Sequence, residues 1–330
     1  MADLLQLDNM TVGFTLGALE IPIVRGIDLS IAKGEIVGLV GESGCGKSVT
    51  CMAAMGLLDN NAKLGGTVLW KENPVEPMND VAMSALRGSE IAMIFQDPMS
   101  ALNPVKRIGK QLIEAIRISS PKRLGRAELR KRAIALLQDV GVPEPGKRLS
   151  AYPHQLSGGL SQRVMIAMML AGDPDLLIAD EPTTALDVTV QAQIMELLLD
   201  LRDKRNMSVI LVTHDLGVVA EVCDRIFVMY CGRVIETGSV WDIFSNPRHP
   251  YTHGLLASLP RIDHGDGDLS PVPGVVPHPM ELGLGCDFAP RCLRKQPGCE
   301  ADTPQLKAGA MSTAHACFNP FDEQKDVGND

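Results

Sequence analysis

Short apolar runs and helical repeats alternate along most of the chain. The runs at 35–41, 176–180 and 208–214 consist largely of aliphatic residues and are typical of strands buried on both faces. The segment 190–204 instead repeats its apolar residues at the spacing of one helical face. Because buried strands alternate with helices in proteins built on a parallel sheet, this pattern predicts an α/β fold with a buried, largely parallel sheet.

Two segments depart from this alternation. Residues 111–141 are charged and helical in pattern without a strand signal, which predicts a helical insertion. Residues 260–279 contain five prolines and three glycines, so we expect a linker or extended wrap there. No run approaches the roughly 18 apolar residues of a membrane-spanning helix. The N-terminus lacks the basic and apolar segments of a secretion signal, so we expect a cytoplasmic chain.

Composition narrows the class of protein. The 330 residues allow one large domain or roughly two, and 45% apolar with 22% charged residues is ordinary for a folded protein. The 31 basic and 40 acidic residues give a net charge of −9, the wrong sign for binding nucleic-acid phosphates, so no nucleic-acid partner is expected. Eight cysteines in a chain expected to be intracellular favour metal binding or burial over disulfides.

The segment 41–48 matches the phosphate-loop pattern G-x-x-x-x-G-K-[ST] between an apolar run and a helix-compatible stretch. Such a loop surrounds an anion with backbone N–H groups at a helix N-terminus. Lys47 would neutralise the β and γ phosphates of a nucleotide, and the Ser48 hydroxyl would bind Mg²⁺. The alternative is a chance match, with a probability of about one in a hundred. The candidate cofactor-binding residues of this loop are Gly41, Glu42, Ser43, Gly44, Cys45, Gly46, Lys47 and Ser48.

Polar residues follow two of the predicted strands. The run 176–180 ends in Asp180 and is followed by Glu181, and the run 208–214 ends in His214. The carboxyl ends of strands border the ligand crevice in open α/β sheets. Asp180 would therefore hold Mg²⁺, Glu181 would polarise the attacking water, and His214 would contact the γ phosphate. The alternatives are a solvated acidic turn and a structural histidine.

A second candidate anion site is the segment 156–163, LSGGLSQR, which precedes a helical stretch. At these residues the sequence resembles the ATP-binding subunits of ABC transporters. The resemblance covers about residues 3–260 and includes the phosphate loop, Gln96 in IFQDP, the LSGGLSQR signature, IADEP, the turn at 184–187 and His214, in family order. It implies a P-loop ABC nucleotide-binding domain with a RecA-like core and a helical subdomain.

The resemblance also implies roles for single residues. Phe14 would stack on the adenine, although a phenylalanine at such a position is equally explained by core packing. Gln96 would meet Mg²⁺ and the attacking water, and Glu181 would be the catalytic base.

In the family the signature acts across a dimer of cassettes. Ser157, Gly158 and Gly159 would therefore face ATP bound to the phosphate loop of the second cassette, and Asp187 would lie at the same interface. One chain alone would not complete the site.

Longer sequence segments indicate which group of ABC transporters the chain resembles. The segments 93–104, 152–170, 178–198 and 248–252 resemble the ATPase subunits of oligopeptide and dipeptide importers, most closely the dipeptide-type first subunit. The proline-rich string 271–277 and the spaced tail cysteines resemble the C-terminal extension of those importers.

We therefore expect two regions. Residues 1–245 would form the ABC ATP-binding domain, with a helical subdomain at about 100–165, and residues 246–330 would form the C-terminal extension.

The resemblance implies an ATPase that energises peptide import through a membrane ABC transporter. The implied partners are two transmembrane permease subunits, a second and different ATPase subunit, and an extracytoplasmic peptide-binding protein. The chain would lie peripherally on the cytoplasmic face of the inner membrane. The alternatives are an importer subunit for nickel or antimicrobial peptides, an exporter subunit, and a soluble ABC-type ATPase acting on DNA or ribosomes.

The last 45 residues contain four cysteines, separated by five, six and seventeen residues. These intervals match neither zinc knuckles nor ferredoxins. In some peptide-importer relatives this tail carries a four-iron four-sulfur cluster, so the alternatives are such a cluster, zinc, or unligated thiols. The candidate ligands are Cys286, Cys292, Cys299 and Cys317.

Overall fold

The chain forms two compact units. The first consists mainly of residues 75–212, and the second of residues 5–30, 36–74 and the described residues from 213 onward. The structure is a computed structural model that describes residues 3–120, 122–184, 186–259, 272–309 and 313–321.

Strands and helices alternate along most of the described chain. The strands are β1 (Asp3–Leu16), β2 (Leu19–Ala32), β3 (Ile36–Val40), β4 (Ala62–Trp70), β5 (Asn73–Val75), β6 (Ile91–Ile94), β7 (Leu176–Asp180), β8 (Ser208–Thr213), β9 (Arg225–Tyr230), β10 (Arg233–Ser239), β11 (Lys307–Ala308) and β12 (Ala314–His315). The helices are α1 (Lys47–Ala54), α2 (Asp80–Leu86), α3 (Pro98–Ala101), α4 (Ile108–Ser119), α5 (Arg126–Asp139), α6 (Pro145–Arg148), α7 (Gly158–Met169), α8 (Val188–Arg205), α9 (Leu216–Val222), α10 (Val240–Ser245), α11 (Pro250–Ala257) and α12 (Gly298–Ala301).

The second unit contains two groups of strands. In one, the strand order is β2-β1-β4-β5, and β1 pairs antiparallel with β4 so that Phe14 lies opposite Ala62. In the other, the order is β11-β12-β10-β9-β3. Strands β3 and β9 are parallel, with Val37 opposite Arg225, and every residue of β3 is buried. The phosphate-loop segment follows directly from the carboxyl end of this buried strand.

The first unit contains the parallel strands β8-β7-β6. Leu176 of β7 lies opposite Ser208 of β8 and Ile91 of β6, and every residue of these three strands is buried. Continuous apolar runs form such strands because both faces are covered. Asp180 ends β7, so a carboxylate stands at the carboxyl end of this strand group.

The structure confirms the main pattern predictions. The apolar runs form β3, β7 and β8, and the segment 190–204 lies within α8, whose buried residues include Ile194, Leu197, Leu198 and Leu201. The charged segment 111–141 forms most of α4 and α5 without an intervening strand in its described residues. Most of the predicted linker, 260–271, lies outside the described residues, and 272–278 form neither helix nor strand. The bounds of the helical subdomain, at about 100–165, and of the C-terminal extension, which begins at residue 246, stay predictions.

No helix in the described part of the chain combines the length and the apolar character needed to cross a bilayer.

Candidate nucleotide site

The phosphate loop, residues 41–48, connects β3 to α1 as the sequence predicts. Gly41 and Gly46 have φ angles of 149° and 104°, a range that side chains disfavour. A Cβ atom on Gly41 would lie 2.2 Å from the backbone oxygen of Met229. The loop therefore needs glycine at this position to lie against the neighbouring strand β9.

Lys47 is the first residue of α1, and 5% of it is exposed. Its Nζ donates hydrogen bonds to the carbonyl oxygens of Gly41 and Glu42, at 2.8 and 3.0 Å. Both acceptors are neutral backbone groups of the loop itself. A cation held by neutral acceptors at a helix N-terminus is suited to an anionic ligand, which offers stronger charge-assisted bonds.

Cys45 and Ser48 complete the inner face of the loop. Cys45 is buried, its Sγ lies 3.7 Å from Lys47 Nζ, and burial raises the pKa of its thiol. Ser48 is half-buried in the first turn of α1. The remaining loop positions, Ser43 and Gly44, are exposed, which leaves their backbone accessible to a ligand.

Glu42, the second residue of the loop, contacts residues far along the chain. Its backbone N–H donates to Tyr251 Oη at 2.9 Å, and its carboxylate accepts two hydrogen bonds from the guanidinium of Arg291, at 2.6 and 3.0 Å. Sequence reasoning missed both partners. Tyr251 belongs to the segment 248–252, which indicates the group within the family but no contact with the loop. No sequence pattern sets Arg291 apart from the other arginines.

Three aromatic rings pack beside this contact. The ring centroids of Tyr230, Tyr251 and Phe288 lie 4.8 to 5.4 Å apart, at angles of 57° to 87°. Burial raises the pKa of Tyr230 to about 12 and also raises the pKa of Tyr251. Tyr251 therefore presents a neutral hydroxyl to the loop at ordinary pH.

In the first unit, Gln96 and Glu181 lie together. Gln96 Nε2 donates to Glu181 Oε2 at 2.7 Å, and Thr184 Oγ1 donates to the same oxygen at 2.9 Å. Glu181 has a φ of 46° and its N–H donates to Val212 O at 2.9 Å. A non-glycine residue in this conformation at the end of a strand is typical of a functional site. Asp180 precedes it and is 8% exposed.

The N-termini of α7 and α8 lie side by side in the same unit. Ser157 caps α7 by accepting the N–H of Leu160 at 3.4 Å, and Asp187 caps α8 by accepting the N–H of Val190 at 3.0 Å. A Cβ atom on Gly159 would lie 2.7 Å from Val190 Cγ1, so a glycine allows the two helices to approach. Ser157, Gly158 and Asp187 are exposed, as an anion site for a second molecule requires.

Two further candidates belong to the second unit. His214 follows β8 and is exposed. Phe14 is half-buried in β1, a position compatible with both adenine stacking and core packing. Of the predicted site residues, the phosphate loop, Phe14 and His214 thus lie in the second unit. The first unit holds Gln96, Asp180, Glu181, Ser157, Gly158, Gly159 and Asp187.

The four tail cysteines are free thiols, and Cys299 is buried. The pKa of Cys286 and of Cys317 is raised to about 11, mainly by burial and to a smaller extent by the neighbouring tail thiols. Within the part of the chain that the structure describes, no group of three or more His, Cys, Asp or Glu side chains is arranged to hold a metal ion. The described residues therefore give no evidence for the predicted cluster or for zinc.

The phosphate loop, the carboxylate after β7 and the paired helix N-termini define an ATP-binding cassette. The family described as ABC transporter matches residues 24–184, and the region described as oligopeptide/dipeptide transporter, C-terminal region, matches residues 235–299. The chain belongs to the ABC transporter family, in the group that carries this C-terminal region. As an ABC ATP-binding subunit it binds and hydrolyses ATP.

Curated relatives match this chain over almost its full length. It is 48% identical to the dipeptide transport ATP-binding protein DppD of Bacillus subtilis (strain 168), over 92% of this chain and 91% of DppD. It is 47% identical to the DppD of Escherichia coli (strain K12), over 97% and 98% of the two chains. The oligopeptide transport ATP-binding protein AppD of B. subtilis is 46% identical, over 96% and 97%.

Solved structures confirm the cassette fold. The dimeric structure of MJ0796, a bacterial ABC transporter cassette, is 30% identical with a TM-score of 0.64 and covers 72% of this chain and 98% of its own. A dimeric post-hydrolysis state of the same cassette, bound to ADP and Pi, has a TM-score of 0.65. The predicted fold class and the family resemblance are therefore confirmed, whereas the roles of individual residues stay predictions.

Proposed function

We propose that this chain forms a composite ATPase with a second cassette and energises the import of dipeptides or oligopeptides. The observation that carries the peptide assignment is the match to dipeptide and oligopeptide transport ATP-binding proteins over more than nine-tenths of the chain. The match to the C-terminal region at 235–299 supports the same assignment. The paired, exposed N-termini of α7 and α8 support the composite site.

Within one cassette, the loop 41–48 would bind the triphosphate, with Lys47 neutralising its β and γ phosphates. Phe14 would lie against the adenine. Ser48, Asp180 and Gln96 are the residues that would hold Mg²⁺, since hydroxyl, carboxylate and amide oxygens suit this ion. When bound, Mg²⁺ would supply positive charge to the phosphates.

Hydrolysis would depend on Glu181. Its carboxylate accepts hydrogen bonds from Gln96 and Thr184 on one oxygen, which fixes its orientation. A carboxylate held in this way can accept a proton from the attacking water. His214 would contact the γ phosphate from the end of β8.

The second cassette would supply the other wall of the site. Ser157, Gly158 and Gly159 would present a hydroxyl and backbone N–H groups to the γ phosphate bound by the partner's loop. Asp187, which caps the adjacent helix, would lie at the same interface. Closure of the two cassettes around ATP and their reopening after hydrolysis would be the motion transmitted to the transporter.

The assembly would contain two transmembrane permease subunits and a second, different ATPase subunit. An extracytoplasmic peptide-binding protein would deliver the cargo, and this chain would lie peripherally on the cytoplasmic face of the inner membrane. The C-terminal extension, residues 246–330, would be a separate region of the subunit.

The four-iron four-sulfur cluster predicted for the tail stays a proposal, for which the described residues give no evidence. Anaerobic purification followed by iron and zinc analysis decides among cluster, zinc and unligated thiols. Four irons per chain would support the cluster, zinc would support a zinc site, and a chain free of both metals would leave unligated thiols.

The test is purification of the membrane complex with its permeases and measurement of its ATPase activity. We expect dipeptides or oligopeptides with the binding protein to stimulate hydrolysis. If only nickel or antimicrobial peptides stimulate hydrolysis, the cargo would be one of these and not a dipeptide or oligopeptide. A chain that purifies without permeases and responds to DNA or ribosomes would contradict the transporter assignment.

Glu181→Gln tests the catalytic base in the same complex. Hydrolysis is expected to fall by at least about a hundredfold, while ATP binding is retained, because the amide keeps the shape but accepts no proton. Hydrolysis at the wild-type rate would show that Glu181 is not the base.

A further inference from the structure

Glu42 of the phosphate loop is held at three points. Its N–H donates to Tyr251 Oη, its carboxylate pairs with Arg291, and its carbonyl oxygen accepts from Lys47 Nζ. Tyr251 and Arg291 lie 209 and 249 residues further along the chain. Two residues of the C-terminal region thus act on the same loop residue that holds the phosphate-binding lysine.

Arg291 is itself fixed by its surroundings. It is 7% exposed, its Nε donates to Pro273 O at 2.7 Å, and its guanidinium lies 5.8 Å from the ring centroid of Tyr230. Four residues earlier, Asp287 forms an ion pair with Arg25 of β2 at 2.7 Å. The segment that presents Arg291 is therefore anchored independently of the loop.

This arrangement determines the shape of the loop backbone before nucleotide binds. The N–H and the carbonyl oxygen of Glu42 set the orientation of its two peptide groups, and both are engaged. The bidentate pair with Arg291 also neutralises a carboxylate in a loop that receives a triphosphate. Fixing a binding loop in advance raises affinity because less conformational freedom is lost on binding.

We propose that Tyr251 and Arg291 are positioning residues through which the C-terminal region sets the nucleotide affinity of the phosphate loop. The inference rests on the nucleotide site of the proposed function. Both residues act through Glu42 and not on the reacting atoms. Removing them weakens ATP binding and leaves turnover at saturating ATP almost unchanged.

The variants Tyr251→Phe and Arg291→Gln test this directly in the full chain. Tyr251→Phe keeps the ring between Tyr230 and Phe288 but removes the oxygen that accepts the Glu42 N–H. The readout is the dissociation constant for the ATP analogue AMP-PNP with Mg²⁺. We expect binding to weaken about threefold for Tyr251→Phe and about tenfold for Arg291→Gln, as expected for loss of a neutral and a charged hydrogen bond.

Arg294→Gln is the matched control. Arg294 lies in the same segment, its guanidinium stacks 4.3 Å from the ring centroid of Phe321, and it donates a hydrogen bond to Pro320 O at 3.4 Å. Loss of this arginine should leave the dissociation constant unchanged. In the assembled complex, Arg291→Gln should raise KM for ATP about tenfold and change kcat by less than about twofold, a split that general destabilisation would not produce.

A double-mutant cycle locates the effect at Glu42. In a Glu42→Gln background, Arg291→Gln should have no further effect on AMP-PNP binding, because the carboxylate it neutralises is gone. Wild-type affinity in both single variants, or full additivity in the cycle, would overturn the inference. If Arg291→Gln does not fold, the dissociation constant of Tyr251→Phe for AMP-PNP tests the inference by itself. A wild-type chain that does not bind AMP-PNP would instead contradict the nucleotide site itself.

Discussion

Single side chains beside the phosphate loop are held in defined protonation states by burial. His249 is 1% exposed, and burial, together with the charge of His315, lowers its pKa to about 3. Its Nδ1 accepts the N–H of Tyr251 at 3.0 Å, which requires that nitrogen to be unprotonated. The tyrosine that contacts Glu42 is therefore positioned by a neutral histidine.

This histidine predicts an acid-sensitive fold. Unfolded His249 binds a proton near pH 6.5, whereas the folded residue does so near pH 3, so the unfolded state binds more protons between these values. Its contribution to stability is present above pH 6.5 and is lost as pH falls toward 3, with a slope of up to about 1.4 kcal/mol per pH unit.

Urea unfolding of the wild type and His249→Asn between pH 7 and 4 measures this slope. Asparagine also caps a helix but does not titrate in this range, so the variant should lose stability less steeply on acidification. His154→Asn, at an exposed position, is the control. Equal slopes for the wild type and His249→Asn would contradict the assignment.

Helices α7 and α8 show how one element serves both folding and function. Ser157 caps α7, and its hydroxyl is also the group proposed to face the partner's ATP. Replacing a cap by alanine costs about 1 kcal/mol, whereas aspartate preserves the cap and adds a negative charge. The two substitutions therefore separate the structural role from the anion-binding role.

We expect Ser157→Asp to retain the thermal stability of the wild type and to lose ATPase activity in the complex by at least about a hundredfold, because its carboxylate repels the triphosphate. Ser157→Ala should lose both some stability and activity. Asn79→Ala, which removes the cap of α2, controls for stability alone and should keep its activity. An active Ser157→Asp complex would contradict the signature's role.

The elements that could be predicted from sequence are those with a local signal. Aliphatic runs predicted β3, β7 and β8, the helical repeat predicted α8, and the spacing of glycines with Lys47 predicted the phosphate loop. The contacts of Tyr251 and Arg291 with Glu42 could not be predicted, because they join residues more than 200 positions apart with no periodicity. The hydrogen bond between Gln96 and Glu181 was not predicted, because the family resemblance implied only that both residues act on the attacking water.

For the molecule as a whole, the candidate machinery is divided. The phosphate loop and the C-terminal region that holds Glu42 belong to one unit, and the carboxylate of Glu181 and the signature belong to the other. Two solved structures of the similar cassette MJ0796 are dimers, one of them in a post-hydrolysis state with ADP and Pi. We expect hydrolysis to require the signature of a second cassette.

The most direct test is the ATPase rate per chain as the purified protein is diluted, alone and with its partner cassette, with the association state followed by sedimentation. We expect the rate per chain to fall toward zero as the cassettes dissociate and to recover when the partner cassette is added. A constant rate per chain in solutions shown to contain monomers alone would contradict it.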